Sequence, residues 1–176
     1  ETRNRVKRLA NGLLALGVKP GDRVATLAWN GYRHLELYYA ISGIGAVCHT
    51  INPRLFPNQI AWIVNHAEDQ VMFFDADLTA LVAGLRPELP AGLRLVCLCD
   101  PGKIPAAAPE GTRSYENLVD EGGTDFEWPE FPETTASGLC YTSGTTGNPK
   151  GALYSHRSTV LHALSTTLAV PSSFGV

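Results

Sequence analysis

The sequence predicts an α/β domain in which helices alternate with mostly parallel strands. Three observations carry that expectation. Apolar residues fall at helical spacing in one segment and in short unbroken runs in the next, and the two patterns alternate four times before residue 100. The runs are apolar at nearly every position rather than at every second one, which suits strands covered on both faces. The chain has 176 residues, 44% of them hydrophobic and 18% charged, enough to bury one good core at an ordinary globular composition.

In chain order, Val6, Leu9, Leu13 and Leu16 share one helical face, ended by Gly17 and a turn at Lys19-Pro20-Gly21-Asp22. Arg23 to Trp29 reads as a strand, Asn30-Gly31 as a break and helix cap, and His34 to Ile44 as a helix through Leu37, Tyr38 and Ile41. Ala46 to Ile51 is the next strand. A helix opens at Pro57-Asn58 and turns Ile60, Ile63 and Val64 inward. Gln70 to Phe74 forms a strand ending at Asp75, Leu78 to Leu85 a short helix, and Leu93 to Cys99 another strand. Successive strands with helices between them imply parallel pairing through crossovers. Residues 1–100 thus form the alternating part.

Residues 101–137 differ. Pro101, Pro105, Pro109, Pro129 and Pro132 interrupt a Glu-rich stretch in which only Tyr115 to Val119 suits a helical turn. The expectation is an irregular connection running over the surface. Residues 138–176 hold two short strands, Gly138–Tyr141 and Ala152–Tyr154, and a final helix marked by Val160, Leu161, Leu164 and Leu168, capped by Ser155 or Ser158 and stopped by Pro171.

Between those two strands lies the stretch Tyr141-Thr142-Ser143-Gly144-Thr145-Thr146-Gly147-Asn148-Pro149-Lys150-Gly151, longer than an ordinary hairpin turn. Its glycines let backbone N–H groups converge without Cβ atoms in the way. Converging N–H groups make an anion nest. The hydroxyls of Thr142, Ser143, Thr145 and Thr146 add rotatable donors, and Lys150 adds a positive charge held stiffly after Pro149. The sum is a pocket for phosphate oxygens. It is not the Gly-Lys-Ser/Thr loop of P-loop proteins. Nor is Ser143 a nucleophile of the Gly-x-Ser-x-Gly kind, because Tyr stands at 141.

The stretch resembles the phosphate-binding signature of the adenylate-forming enzymes, which include acyl-CoA synthetases, luciferases and peptide-synthetase adenylation domains. The likeness runs unbroken from Tyr141 to Gly151, and the sequel Ala152-Leu153-Tyr154-Ser155-His156-Arg157-Ser158 is similar to the medium- and long-chain fatty acyl-CoA synthetases, as is Asn52-Pro53-Arg54-Leu55 with Gln59-Ile60. The resemblance implies a two-step reaction: a carboxylate attacks the α-phosphate of ATP, and coenzyme A then displaces AMP from the acyl-adenylate. It implies Mg2+ with the ATP. It places Thr142, Ser143, Gly144, Thr145, Thr146, Gly147 and Lys150 on the β- and γ-phosphates that leave. Full members are much longer, so the chain is expected to be part of a large N-terminal domain, inactive alone and prone to self-association through uncovered surfaces. No catalytic residue is expected within it.

Three readings stay open: another adenylate-forming enzyme with a short thioether or aryl acid as substrate, a non-catalytic nucleotide-binding module, or an ATPase without acid activation. Other features are expected to be structural. The net charge is −3, and a solvated helix face accounts for Arg3, Arg5, Lys7 and Arg8 without a nucleic-acid partner. Cys48, Cys97, Cys99 and Cys140 lack metal or disulfide spacing and fit a reducing cytoplasm. His49 is expected to be a satisfied core histidine, and Asp75 a helix cap or a group at a ligand-facing strand end. His156 and His162 share no helical face, which excludes paired metal ligation. No apolar run reaches the length of a membrane span.

Overall fold

A computed structural model describes residues 1–142 and 148–169. Seven strands form one sheet in the order β5-β4-β3-β1-β2-β6-β7. They are β1 (Arg23–Leu27), β2 (Val47–Thr50), β3 (Val71–Phe74), β4 (Arg94–Cys97), β5 (Arg113–Ser114), β6 (Ala136–Thr142) and β7 (Lys150–Ser155). Every pair is parallel except β6–β7, which is antiparallel. The parallel part follows from the alternation of helix and strand in the sequence. The helices are α1 (Thr2–Ala15), α2 (Tyr32–Gly43), α3 (Pro57–Ala67), α4 (Thr79–Leu85), α5 (Tyr115–Glu121) and α6 (His156–Ala169).

Strand pleating sorts the apolar runs into two layers. Val71 and Phe73 of β3 face α1, α2 and α5, where they meet Leu9, Leu13, Leu37, Ile41 and Leu118. Met72 and Phe74 face α3 and α4, among Ile60, Ile63, Val82 and Leu85. A strand that is apolar on both sides therefore needs a helical layer on both sides, and here it has them. Each such side chain contributes about 1.5–3 kcal/mol of burial.

Two expectations need correction. The connection over residues 101–137 is not irregular throughout, because β5 and α5 lie within it, and Tyr115, Leu118 and Val119 are buried. Ser114 caps α5 through its hydroxyl, and the helix packs on α1, where Leu118 atoms would lie 2.8 Å from a Cβ built on Gly12. The helical turn expected at Tyr115 to Val119 is thus a helix that runs to Glu121 and is sustained by tertiary burial. The basic start of α1 is not merely a solvated face either. Arg5 Nε donates to buried Glu36 at 2.7 Å, and its Nη2 donates to Glu116 of α5 at 3.0 Å. The Tyr115 hydroxyl donates to the other Glu36 oxygen at 2.7 Å, and Arg33 Nε donates to Glu116 at 2.7 Å. Burial alone would push the Glu116 carboxyl up, but the Arg33 and Arg5 hydrogen bonds outweigh it and hold the group below the usual range.

The far side of the sheet is bare. Leu153 and Tyr154 of β7 and Val160, Leu161, Leu164 and Leu168 of α6 are exposed. The apolar spacing of α6 is as the sequence predicts, but no described element covers it.

Candidate functional site

The carboxyl ends of β1, β2, β3, β4 and β6 share one edge of the sheet, because these strands are parallel. In open α/β sheets that edge takes ligands. The expected phosphate stretch sits there, between β6 and β7. The ladder pairs Tyr141 with Gly151 and Thr142 with Lys150, so the two ends of the stretch are pinned opposite each other. Thr142 and Lys150 are both exposed. Thr142 and Lys150 thus stand opposite each other at the ligand edge, with the Thr142 hydroxyl donating to the Lys150 carbonyl at 3.5 Å, and a hydroxyl residue and a lysine in that position suit anionic oxygens. The other expected contacts, Ser143, Gly144, Thr145, Thr146 and Gly147, lie outside the described residues.

Tyr141 supports this corner from below. A Cβ on Gly151 would stand 3.1 Å from its Cζ, so glycine gives the ring room to lie across the neighbouring strand without shifting. The Tyr141 hydroxyl is 2.6 Å from His66 Nδ1, in a hydrogen bond whose donor is set by the imidazole tautomer. The Trp62 ring stacks on His66 at 4.5 Å, and both meet Tyr141 edge-on. Burial, with the Asp69 carboxylate nearby, pushes the Tyr141 phenol up.

Beneath lies a buried pair. His49 of β2 and Asp69, which precedes β3, are fully enclosed, with His49 Nδ1 donating to Asp69 Oδ2 at 2.8 Å. Burial pushes the Asp69 carboxyl up, and the His49 hydrogen bond offsets only part of this. The expectation of a satisfied histidine holds for one nitrogen only: His49 Nε2 has no partner among the described residues. The ring lies 5.2 Å from that of Tyr141.

A second feature of the same edge is an open crevice of about 420 Å³ between the ends of β1 and β3, bordered by Trp29, Tyr32, Arg33, Asp75, Asp77 and Leu98. The strand order places it where the chain, having gone from β1 to β2, crosses back to β3. Asp75 lies in it but makes no cap hydrogen bond. Its carboxylate accepts the Trp29 N–H at 2.6 Å, and Asp77 accepts the indole N–H at 3.0 Å. Both acids therefore hold Trp29. Arg54, from the Asn52-Pro53-Arg54 turn closed by Asn52 Oδ1, lies over the other part of the indole at 5.9 Å. His34 uses both ring nitrogens, on the Trp29 carbonyl and the Thr26 hydroxyl, and its burial pushes its pKa down.

Gln59 acts locally: its side chain accepts the Phe56 N–H and starts α3. Ser155 and Ser158 start α6 by exchanging hydrogen bonds, as the sequence suggests. Cys97 and Cys99 face one layer, and all four cysteines are free thiols, with Cys48 pushed up to about 12 by burial. Among the described residues no three His, Cys, Asp or Glu side chains gather to hold a metal ion. No described helix is long and apolar enough to cross a membrane. Sequence reasoning missed Trp62, His66 and Asp69. The one available signal was the four-residue spacing of Trp62 and His66, which stacks two flat side chains on one helix face.

A mostly parallel sheet with helices on both faces and an antiparallel strand pair at one end defines an α/β domain. The comparisons with known proteins make this specific. The sequence profile described as AMP-binding enzyme matches residues 1–175, and the chain belongs to that family, the adenylate-forming enzymes. It is 57% identical over 157 residues to the 3-methylmercaptopropionyl-CoA ligase of Ruegeria pomeroyi, covering 89% of this chain and 29% of that protein. It is 49% identical over 168 residues to the medium-chain-fatty-acid–CoA ligase of Ectopseudomonas oleovorans, covering 96% of this chain and 31% of that protein. The anthranilate CoA ligase AuaEII, solved with anthranoyl-AMP, superposes with a TM-score of 0.84 at 26% identity, over 93% of this chain and 30% of that one. The chain therefore spans about three-tenths of the length of the relatives it matches.

Proposed function

We propose that the protein to which this chain belongs is an acid–CoA ligase, and that the chain is the part of its large N-terminal domain that grips the leaving phosphates of ATP. The observation that carries the reading is the Thr142–Lys150 register, which sets a hydroxyl residue opposite a lysine at the carboxyl edge of the sheet. In such a displacement the acid's carboxylate attacks the α-phosphate and pyrophosphate departs. Charge builds on the departing oxygens, and preorganised donors gain most there. Lys150 supplies the charge. Thr142, Ser143, Gly144, Thr145, Thr146 and Gly147 supply hydroxyl and backbone donors. Mg2+ would come with ATP and would supply further charge at the departing phosphates. The thiol of coenzyme A then takes the acyl group from the adenylate.

For the acid, the higher identity to ligases named for 3-methylmercaptopropionate, 55% and 57% against 49% for the medium- and long-chain fatty-acid ligases, favours a short thioether acid over a fatty acid. This changes the order suggested by sequence motifs, which put fatty acids first. The 176-residue chain alone does not complete the reaction, in keeping with the share of its relatives that it spans. Its exposed Leu153, Leu161 and Leu164 support burial of the β7–α6 face in the parent protein and self-association of the chain alone.

The test is acid-dependent exchange of labelled pyrophosphate into ATP by the product of the complete reading frame. The series of acids should run from 3-methylmercaptopropionate to long-chain fatty acids, with the 176-residue chain beside it. Exchange that needs an acid supports adenylation, and the preferred acid names the substrate. Hydrolysis of ATP with no acid present would favour a plain ATPase. Lys150→Ala should weaken ATP binding by about 1.5–3 kcal/mol, the scale of a lost charged hydrogen bond.

A further inference from the structure

We propose that Tyr141 and His66 form a positioning latch that sets where Thr142 and Lys150 stand, so that α3 tunes the grip on ATP without touching it. The inference rests on the functional reading above and adds a role for residues outside the phosphate stretch.

Tyr141 is the last residue before Thr142, and its ladder partner Gly151 is the first after Lys150. One side chain thus borders both phosphate-site residues. A tyrosine on an outer hairpin would ordinarily turn between rotamers, yet this one is held at four points. Its hydroxyl meets His66 Nδ1 at 2.6 Å. Trp62 meets its ring edge-on at 6.1 Å, and His49 lies tilted against it at 5.2 Å. Gly151 leaves the space its ring fills. Behind His49 stands Asp69, fully buried, so the floor is itself locked. Keeping an acid and an imidazole in a dry site is costly unless their geometry matters.

The rest of the hairpin has few supports. On β7, Leu153 and Tyr154 are exposed, and of the α6 helix that follows, Arg157 to Leu168 are exposed while His156 packs on Phe131. Among the described residues the Tyr141–His66 hydrogen bond, with the Thr50 Oγ1–Cys140 Sγ contact at 3.0 Å beside it, ties the ligand end of β6 by side chains to the covered part of the sheet. It also spans a long sequence distance, between α3 and β6. A tie of this kind acts on where the phosphate donors sit, not on the reacting atoms, and so on ATP affinity more than on turnover.

The experiment uses the full-length protein and two readouts: direct ATP binding by calorimetry, and pyrophosphate exchange with the preferred acid. His66→Ala and Tyr141→Phe should each weaken ATP binding about five- to tenfold, the equivalent of one neutral hydrogen bond. The ATP KM should rise in parallel, with kcat and the acid KM within about twofold of wild type on the same scale. The double variant should be no worse than either single one, because both remove the same bond. His66→Asn, whose amide takes the place of Nδ1, should restore ATP affinity. A merely structural role predicts lower stability with unchanged ATP affinity, and no rescue by Asn. Unchanged ATP binding in both single variants, or losses that add in the double variant, overturns the latch. Wild-type protein that binds ATP but shows no acid-dependent exchange overturns the ligase reading, while its variants still decide the latch. Wild-type protein that binds no ATP overturns both.

Discussion

The two flanks of β1–β2 are built differently. On the β3–β4 flank, Phe73 and Met72 are sealed between helices on both faces, and the ionic network of Arg5, Glu36 and Glu116 ties three helices together. On the β6–β7 flank, strand order continues but the outer layers stop, and α6 lies open. One flank holds itself in place; the other carries the proposed phosphate stretch and relies on a few tethers. On that proposal, stability and ligand grip belong to different ends of one sheet, and substitutions should separate them.

The largest effect should come from the sealed flank. Phe73→Ala in the 176-residue protein is expected to cost about 3–5 kcal/mol in urea unfolding, by lost burial and a residual cavity. A cost near zero would show that the sealed layer is not the core. Next is Glu36→Gln, which leaves Arg5 and the Tyr115 hydroxyl poorly matched. About 2–3 kcal/mol is expected, less than for a wholly buried pair because Arg5 is partly exposed. Smaller again is the pH response of Glu116. Its folded-state pKa is depressed, so its contribution is present above the unfolded value of about 4.3 and fades as pH falls through the lower folded value. Glu116→Gln should therefore flatten the acid limb of a stability–pH profile and leave its slope above pH ~6 unchanged. The smallest effect is on the open flank. Leu164→Ala should change stability of the 176-residue protein by no more than about 0.5 kcal/mol. In the full-length protein the same substitution should cost about 2–5 kcal/mol if further chain covers α6. Equal costs in both lengths would erase the contrast between the flanks.

Much of this organisation is legible in the sequence, and the parts that are not share a cause. Val71-Met72-Phe73-Phe74 announces a doubly covered strand because both of its faces are apolar, and local pattern suffices there. The Thr142 to Lys150 stretch suggests anion binding because its residue types have few other uses together, a reading that the binding experiments must test. Local pattern fails where partners are distant. Arg5 looks like any basic residue on a helix until α5 brings Glu116 to it. Tyr115–Glu121 is a weak helix by itself, set among prolines, and becomes one through burial on α1. His66 carries no sign that Tyr141 will meet it. The alternation also says nothing of the antiparallel turn at β7, since a strand's direction depends on its neighbour rather than on its composition.

The interleaved strand order has a consequence for how the chain assembles. β2 receives β6 on its outer side, so His49 must wait for Leu139 before that side is paired. During synthesis β1 to β4 can close as soon as they emerge, whereas β2 keeps an open edge until some ninety residues later, about 5–20 seconds at ordinary translation rates. The β6–β7 pair is then added after β1 to β4, onto strands already paired. Newly made protein should accordingly acquire protected amides in β1 and β3 before β6, and, on the proposed phosphate role, ATP should slow the loss of β6 more than that of β1 or β3.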